Sequence, residues 1–170
     1  MIEYEVVPKG WLHRQVEVRP RSGVAVVVSR NGWATRATFD VDGQEYVFRV
    51  HTRWRGMRYT LERDAELLAR AQPTGTLCSS LELELFTDGA PESPIPLPCA
   101  SYWSSKYELR GAPPFEARIE PRGLFSMGQK IAAHPDLPLA FVVFLGMVAN
   151  SVAMHNATVI GAGGAGAGAS

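Results

Sequence analysis

Three arginines and a tryptophan lie close together in HTRWRGMR (residues 51–58), the one basic and aromatic cluster of the chain. On a β-strand, Arg53 and Arg55 share one face and Trp54 takes the other, because side chains alternate along a strand. Arg58 then follows at a bend. Guanidinium groups on one face can hold a phosphate through paired hydrogen bonds. We therefore predict that Arg53, Arg55 and Arg58 bind an anionic group such as a lipid headgroup.

The alternative for this cluster is an ordinary solvated face whose charge is balanced by Glu62 and Asp64. The overall charge does not favour either interpretation, since 17 Lys and Arg match 17 Asp and Glu among 170 residues. A balanced chain creates no global field that attracts nucleic acid. We therefore expect no nucleic-acid partner, and a partner that is an anionic phospholipid or another protein.

Two motifs that suggest bound ligands lack the context that those ligands require. Asp40, Asp42 and Gly43 resemble the start of a calcium loop, but the twelfth position is His51 instead of an acidic residue. Residues 161–166 read GAGGAG, a formal GxGxxG. The dinucleotide fingerprint needs a following helix and strand, and the sequence ends at residue 170. We predict a hairpin turn at the first motif and no cofactor at the second.

Groups able to perform catalysis are scattered along the chain. No serine lies in a nucleophile-elbow context, and no base is paired with a nucleophile. We predict no catalytic residue and no metal; an enzyme assembled from His51, Asp40 and Asp136 is the third hypothesis. The histidines show no metal-ligand spacing: His13, His51, His134 and His155.

The two cysteines, Cys78 and Cys99, form no CxxC motif and no disulfide framework. Two reduced thiols are expected in a cytoplasmic protein, and a single disulfide is the alternative if the protein is exported. The N-terminal segment MIEYEVVPKGWLHRQ has early acidic residues and no apolar run of signal-peptide length. We predict a cytoplasmic protein that can associate with a membrane.

The elements that position these residues are mainly strands. Residues 24–30 are predicted to form a continuously buried strand, and residues 36–50 a hairpin that turns at Asp42-Gly43. Residues 79–86 alternate strictly between leucine and glutamate, as in an antiparallel strand with one wet face. Residues 65–71 fit either a strand or a short helix. Residues 87–98 carry four prolines and are predicted to be a surface connection. This spacing favours an antiparallel sandwich or barrel.

One segment differs in kind, because residues 137–154 contain no charged side chain. Asp136 is a suitable N-cap and Pro138 suits a first turn. A helix that is apolar on all faces lies either inside a protein or in a membrane. Sixteen residues span about 24 Å, which is short of a hydrocarbon core of about 30 Å. We predict burial within the domain, with a tail anchor as the alternative, and a flexible Gly/Ala-rich tail at 157–170.

The order of these elements resembles the tubby-like superfamily, and within it the LURP-one-related and phospholipid scramblase branches. The resemblance rests on a strand-rich domain with VDGQEYVFRV (41–50) and GMRYTLERDAELLARAQ (56–72), closed by one apolar helix. FEARIEPRGLFSMGQKI (115–131), followed by DLPLAFVVFLGMVAN (136–150), is similar to the end of bacterial proteins of this general type. The similarity spans about residues 20–155.

The resemblance implies an antiparallel β-barrel wrapped around a hydrophobic C-terminal α-helix, with residues 1–156 as one domain. It implies no enzymatic activity, because better-known members bind phosphoinositides through basic residues or associate with membranes. We therefore expect a non-enzymatic binding or scaffold module, with Arg53, Arg55 and Arg58 as its anion-binding residues. The alternative is a tail-anchored membrane protein with a soluble β domain and its anchor at 137–154.

Overall fold

The computed structural model describes residues 1–9, 14–31, 35–53, 56–74, 80–101, 106–122 and 128–164; within these ranges, the side chains of 53, 100–101 and 156–164 are outside the description. The described residues form thirteen strands and one helix. Their bounds are β1 Ile2–Lys9, β2 Gln15–Pro20, β3 Val26–Arg30, β4 Arg36–Val41, β5 Gln44–Arg53, β6 Gly56–Arg63, β7 Glu66–Pro73, β8 Leu81–Leu85, β9 Ile95–Leu97, β10 Cys99–Ser101, β11 Lys106–Arg110, β12 Glu116–Pro121, β13 Gln129–Ala133 and α1 Leu139–Gly164.

The strands form a single antiparallel sheet that curls into a nearly closed barrel. Its order is β10-β11-β12-β13-β1-β2-β3-β4-β5-β6-β7-β8-β9. Only Pro98 separates β9 from β10; β9 pairs with β8 and β10 pairs with β11, so the chain passes here from one edge of the sheet to the other. β9 also lies against β11. This confirms the predicted antiparallel barrel.

Alternation of side chains separates an apolar interior from a polar exterior on these strands. Leu81, Leu83 and Leu85 point inward on β8 while the glutamates between them point outward, as predicted. The hairpin between β4 and β5 is also confirmed. Asp42 and Gly43 have φ values of 55° and 77°, which suit the two-residue turn that matches the twist of paired strands. The Gly43 N–H donates to Asp40 Oδ1 at 3.0 Å.

The apolar helix α1 occupies the interior of the barrel. Every residue from 140 to 150 is buried. The ring of Phe144 packs edge-on against Phe48 of β5, with 6.0 Å between centroids. A Cβ on Gly146 would lie 2.9 Å from Val6 Cγ2 and 3.1 Å from Ile131 Cδ1, so glycine lets the helix approach β1 and β13 closely. The helix is thus buried within the barrel, as the sequence predicted.

Two strands, β3 and β9, differ from the sequence-based prediction, and a third settles an alternative that the sequence left open. β3 starts at Val26 and alternates, since Val27 is 46% exposed; the outer face of an antiparallel barrel remains solvated. Residues 66–73 form a strand, which resolves the ambiguity at 65–71. The connection at 87–98 contains β9, whose Ile95 and Leu97 are buried. Its proline Pro96 is tolerated because it lies on the exposed side of a short edge strand.

The helix also has different bounds from those predicted. It begins at Leu139 and not at residue 137, because a proline disfavours helical backbone at the residue before it. The carbonyl of Pro138 accepts the first helical hydrogen bonds. It continues to Gly164, through part of the predicted tail. Alanine favours helix and no proline interrupts the segment, so the glycines do not end the helix where predicted. Residues 165–170 lie outside the described residues.

Candidate functional site

The up-and-down order of the strands gives the barrel two ends with different charges. Consecutive strands that pair with each other run in opposite directions, so the connections between them alternate between the ends. β9 and β10 do not pair with each other and continue in one direction through Pro98. β1 runs toward the first end, and the helix α1 starts at the second end and runs back toward the first. We call the first end the basic end and the second the acidic end.

The basic end is formed by the connections after β1, β3, β5, β7, β10 and β12. The sequence around these connections contains no Asp or Glu: residues 9–16, 28–38, 49–61, 73–81, 97–107 and 121–133. The helix and the residues after it, 139–170, also contain none. The Lys and Arg residues in these ranges whose side chains are described are Lys9, Arg14, Arg30, Arg36, Arg49, Arg58, Lys106, Arg122 and Lys130.

The acidic end has the opposite composition. Its connections are residues 21–25, 40–44, 63–66, 86–94, 110–116 and 134–138. Arginines are few among them: Arg21, Arg63 and Arg110. Carboxylates outnumber them: Asp40, Asp42, Asp64, Glu66, Asp88, Glu92, Glu116 and Asp136. A chain with no net charge therefore folds into a molecule whose charges are separated along the barrel axis.

The cations of the basic end fall into two groups. Some are paired with acidic residues of the strand bodies: Lys9 with Glu17 at 3.8 Å, Arg49 with Glu62 at 2.9 Å, Lys106 with Glu120 at 3.6 Å and Arg122 with Glu5 at 3.7 Å. The others have no ion pair within the part of the chain that the structure describes: Arg14, Arg30, Arg36, Arg58 and Lys130. This second group makes the end attractive to an anion.

Three of the unpaired arginines are neighbours: Arg14 directly precedes β2, Arg30 ends β3 and Arg36 begins β4. The N–H of Arg30 donates to the carbonyl of Arg14 at 2.7 Å. Arg30 faces Ala37 across β3 and β4, and Arg36 precedes Ala37. Neighbouring strands lie about 4.8 Å apart, so these backbones form a compact group. Arg36 is exposed on the outside while Arg30 points inward, so both faces of the barrel wall carry positive charge.

Of the predicted site residues, Arg58 is the one whose side chain is described. It lies within β6, opposite His51 of β5, so its predicted position at a bend is wrong. The pairing of the two strands extends as far as Arg53 and Gly56, so Arg58 lies within the paired region. Arg58 is half-buried, and its Nε has no hydrogen-bond partner among the described residues.

The structure describes only the backbone of Arg53 and does not describe Arg55. Arg53 ends β5 opposite Gly56, and its side chain lies outside the described residues, as do Trp54 and Arg55. The predicted sharing of one strand face by the two arginines is therefore untested. Of the proposed balancing acids, Glu62 accepts a hydrogen bond from Arg49 at 2.9 Å, and no ion pair to Arg58 is found among the described residues.

Arg30 has the most unusual surroundings of these cations. It follows Val26 and Val28 in the inward row of β3. Its Nη2 donates to Asn150 Oδ1 of α1 at 2.6 Å, and its guanidinium also contacts the sulfurs of Met154 at 3.4 Å and Met147 at 3.9 Å. Burial lowers the pKa of the Arg30 side chain, because the charged form loses water without gaining an opposite charge.

Sequence reasoning missed Arg30, although one signal pointed to its partner. Asn150 is a polar residue in the middle of an apolar segment, and it is completely buried. A buried amide requires a hydrogen-bond partner, so a polar side chain from some strand was to be expected opposite it. Which strand supplies that side chain depends on the sheet order, which the sequence does not reveal.

Metal-binding groups, membrane-spanning helices and the cysteines also bear on the site. Within the described ranges, no group of three or more His, Cys, Asp or Glu side chains is arranged to hold a metal ion. No helix in the described part of the chain is both long and apolar enough to cross a membrane. Cys78 lies outside the described residues, so the thiol and disulfide alternatives both stay open.

Comparison with known proteins adds no relative. No protein-family model, curated protein or solved structure matches the chain. The resemblance to the tubby-like superfamily therefore stays a prediction, while the barrel around a central helix stands on the structure itself.

Proposed function

We propose that this protein is a non-enzymatic binding module that docks its basic end onto an anionic phospholipid surface. The observation that carries the proposal is the group of arginines without ion pairs, Arg14, Arg30, Arg36 and Arg58, at an end whose connections contain no acidic residue. The resemblance to the tubby-like superfamily implies the same class of ligand.

Charge separation along the barrel makes this docking directional. A strand of eight residues such as β1 is about 26 Å long, so the acidic end lies well beyond a Debye length of about 8 Å from a surface touched by the basic end. Repulsion of the acidic end is therefore screened, while attraction of the basic end is not. The protein is expected to bind in one orientation despite its zero net charge.

The unpaired arginines also set the expected strength. Each Lys or Arg close to an anionic membrane contributes about 1 kcal/mol. Four such residues give about 4 kcal/mol, which is roughly a thousandfold preference for an anionic over a neutral surface. Lys9, Lys106 and Arg122 contribute less, since each already has a carboxylate nearby. Binding of this size is reversible and falls as salt concentration rises.

The test is sedimentation with vesicles of phosphatidylcholine, with and without phosphatidylserine. Arg36→Gln combined with Arg58→Gln should weaken binding to the anionic vesicles about 30-fold, from two contributions of about 1 kcal/mol. The matched control is Arg21→Gln with Arg63→Gln, which removes the same charge from the acidic end. Equal losses in both double variants, or wild-type binding that is the same to neutral vesicles and insensitive to salt, contradict the proposal.

A further inference from the structure

Arg30 lies where the wall of the barrel meets the central helix near the basic end. Its half-buried side chain points inward from the last residue of β3, and part of it remains exposed. The three side chains it contacts on α1, Met147, Asn150 and Met154, are spaced along one side of the helix. Arg30 therefore keeps contact with solvent while its guanidinium contacts the helix.

None of the partners of Arg30 carries a negative charge. An amide oxygen and two thioether sulfurs accept from it, and no carboxylate lies within ion-pair distance among the described residues. Burying a charge without an opposite charge is costly, and buried arginines are usually paired for that reason. Guanidinium has five N–H donors, which is more than these three acceptors use.

The undescribed residues between the strands that end or begin at the basic end include no acidic residue. Their sequence contains neither Asp nor Glu at 10–13, 32–34, 54–55, 75–79, 102–105 and 123–127. The same holds for residues 139–170. A counter-ion for Arg30 must therefore be external to these segments.

A second buried polar group lies in the same part of the interior. Gln129 begins β13, is 2% exposed and has no hydrogen-bond partner for either amide atom within the described part of the chain. It faces Val6 across β1, and Val6 lies against Gly146 of the helix. Asn150 is about one helical turn beyond Gly146, toward the basic end. Two inward polar groups, from β3 and β13, thus interrupt the apolar core near that end.

We propose that Arg30, oriented by Asn150, binds a phosphate group that enters from the basic end of the barrel. This proposal rests on the proposed function and adds the headgroup chemistry to it. A phosphate monoester presents three acceptor oxygens and up to two negative charges, so it can neutralise Arg30 and also attract the arginines outside. The guanidinium fork matches two phosphate oxygens, which a lysine ammonium cannot do.

Phosphate of this kind has two sources, the headgroup of a lipid and free phosphate in solution. The first arm of the test measures thermal unfolding of the full chain in inorganic phosphate, with acetate and chloride at the same ionic strength as controls. The second arm compares binding to phosphatidylcholine vesicles that contain either phosphatidic acid or phosphatidylserine at matched surface charge. The variants are Arg30→Gln, Arg30→Lys and Arg36→Gln.

The wild type is expected to gain thermal stability from phosphate, to prefer phosphatidic acid vesicles, or both. Arg30→Gln should lose about tenfold or more of that phosphate-specific affinity, the effect expected for a charge-assisted hydrogen bond. Arg30→Lys, which keeps the charge, should also lose most of the phosphate-specific affinity. This variant tests the proposal if Arg30→Gln does not fold. Arg36→Gln should keep the phosphate specificity and lose only general affinity for anionic vesicles. A response to phosphate alone assigns the source to solution, and a response to vesicles alone assigns it to lipid.

The inference is overturned if the wild type responds equally to phosphate and acetate and does not distinguish the two anionic lipids. It is also overturned if Arg30→Gln and Arg30→Lys keep the full phosphate response. Failure of the proposed function looks different, since vesicle binding is then absent or insensitive to Arg36→Gln with Arg58→Gln, while the response of Arg30 to inorganic phosphate can persist.

Discussion

Truncation of Phe144 to alanine tests whether the central helix is enclosed by the barrel. Phe144 is completely buried and packs edge-on against Phe48. Replacing a buried phenylalanine by alanine costs about 3–5 kcal/mol through lost burial and the remaining cavity. The free energy of unfolding of most folded domains is about 5–15 kcal/mol, so the variant loses a large share of its stability.

The assay is unfolding in urea followed by circular dichroism, with thermal unfolding as a second measurement. We expect the free energy of unfolding to fall by about 4 kcal/mol and the midpoint temperature to fall by about 8–16 °C for a chain of this size. The denaturant slope should stay unchanged, since the folded state remains the same.

The matched control is Phe86→Ala, which removes the same side chain at a position that is 43% exposed. Phe86 lies under the guanidinium of Arg70, 5.4 Å from its ring centroid, so its loss should cost about 1 kcal/mol. If Phe144→Ala and Phe86→Ala lose equal stability, the helix is not inside the barrel and the tail-anchor interpretation regains its basis.

Three further outcomes are expected. Arg53→Ala with Arg55→Ala should weaken association with anionic vesicles about fivefold per arginine, from about 1 kcal/mol each, and unchanged sedimentation at low salt removes these residues from the site. Gly43→Ala should lower the free energy of unfolding by about 1–2 kcal/mol in urea, because φ of +77° penalises a side chain even where no atom is close; a loss near zero contradicts this turn geometry. In sequence, every tryptophan falls between strands that reach the basic end: Trp11, Trp33, Trp54 and Trp103. Vesicle binding should therefore shift tryptophan emission to the blue, and an unshifted spectrum of the bound protein argues against docking at the basic end.

Local patterns predicted much of the fold. The Asp42-Gly43 turn and the leucine–glutamate alternation of β8 are signals that neighbouring residues carry alone, and both are confirmed. β9 escaped prediction because prolines normally argue against a strand, and only its place at the edge of the sheet makes Pro96 acceptable. The end of α1 was misplaced because alanine and glycine pull helix propensity in opposite directions.

The candidate site could be predicted only in part, because its charge pattern belongs to the topology. Arg53, Arg55 and Arg58 stand out in the sequence as neighbours, whereas Arg14, Arg30 and Arg36 are separated along the chain and meet only through strand order. The absence of acidic residues at one end is equally invisible until each connection is assigned to an end. Arg30 additionally needs a helix from the far end of the sequence to give it Asn150.

The position of α1 after all thirteen strands has a consequence for biosynthesis. The barrel is built from residues 2–133, and the helix that fills it, residues 139–164, is synthesised after them. β1 pairs with β2 and β13, so one of its two neighbouring strands is also synthesised late. Until translation delivers β13 and α1, the inward-facing side chains of the earlier strands lack the helix against which they pack. The nascent chain is therefore expected to expose apolar strands while residues 2–133 are made, to depend on holding chaperones, and to fold only after residues 139–164 have left the ribosome.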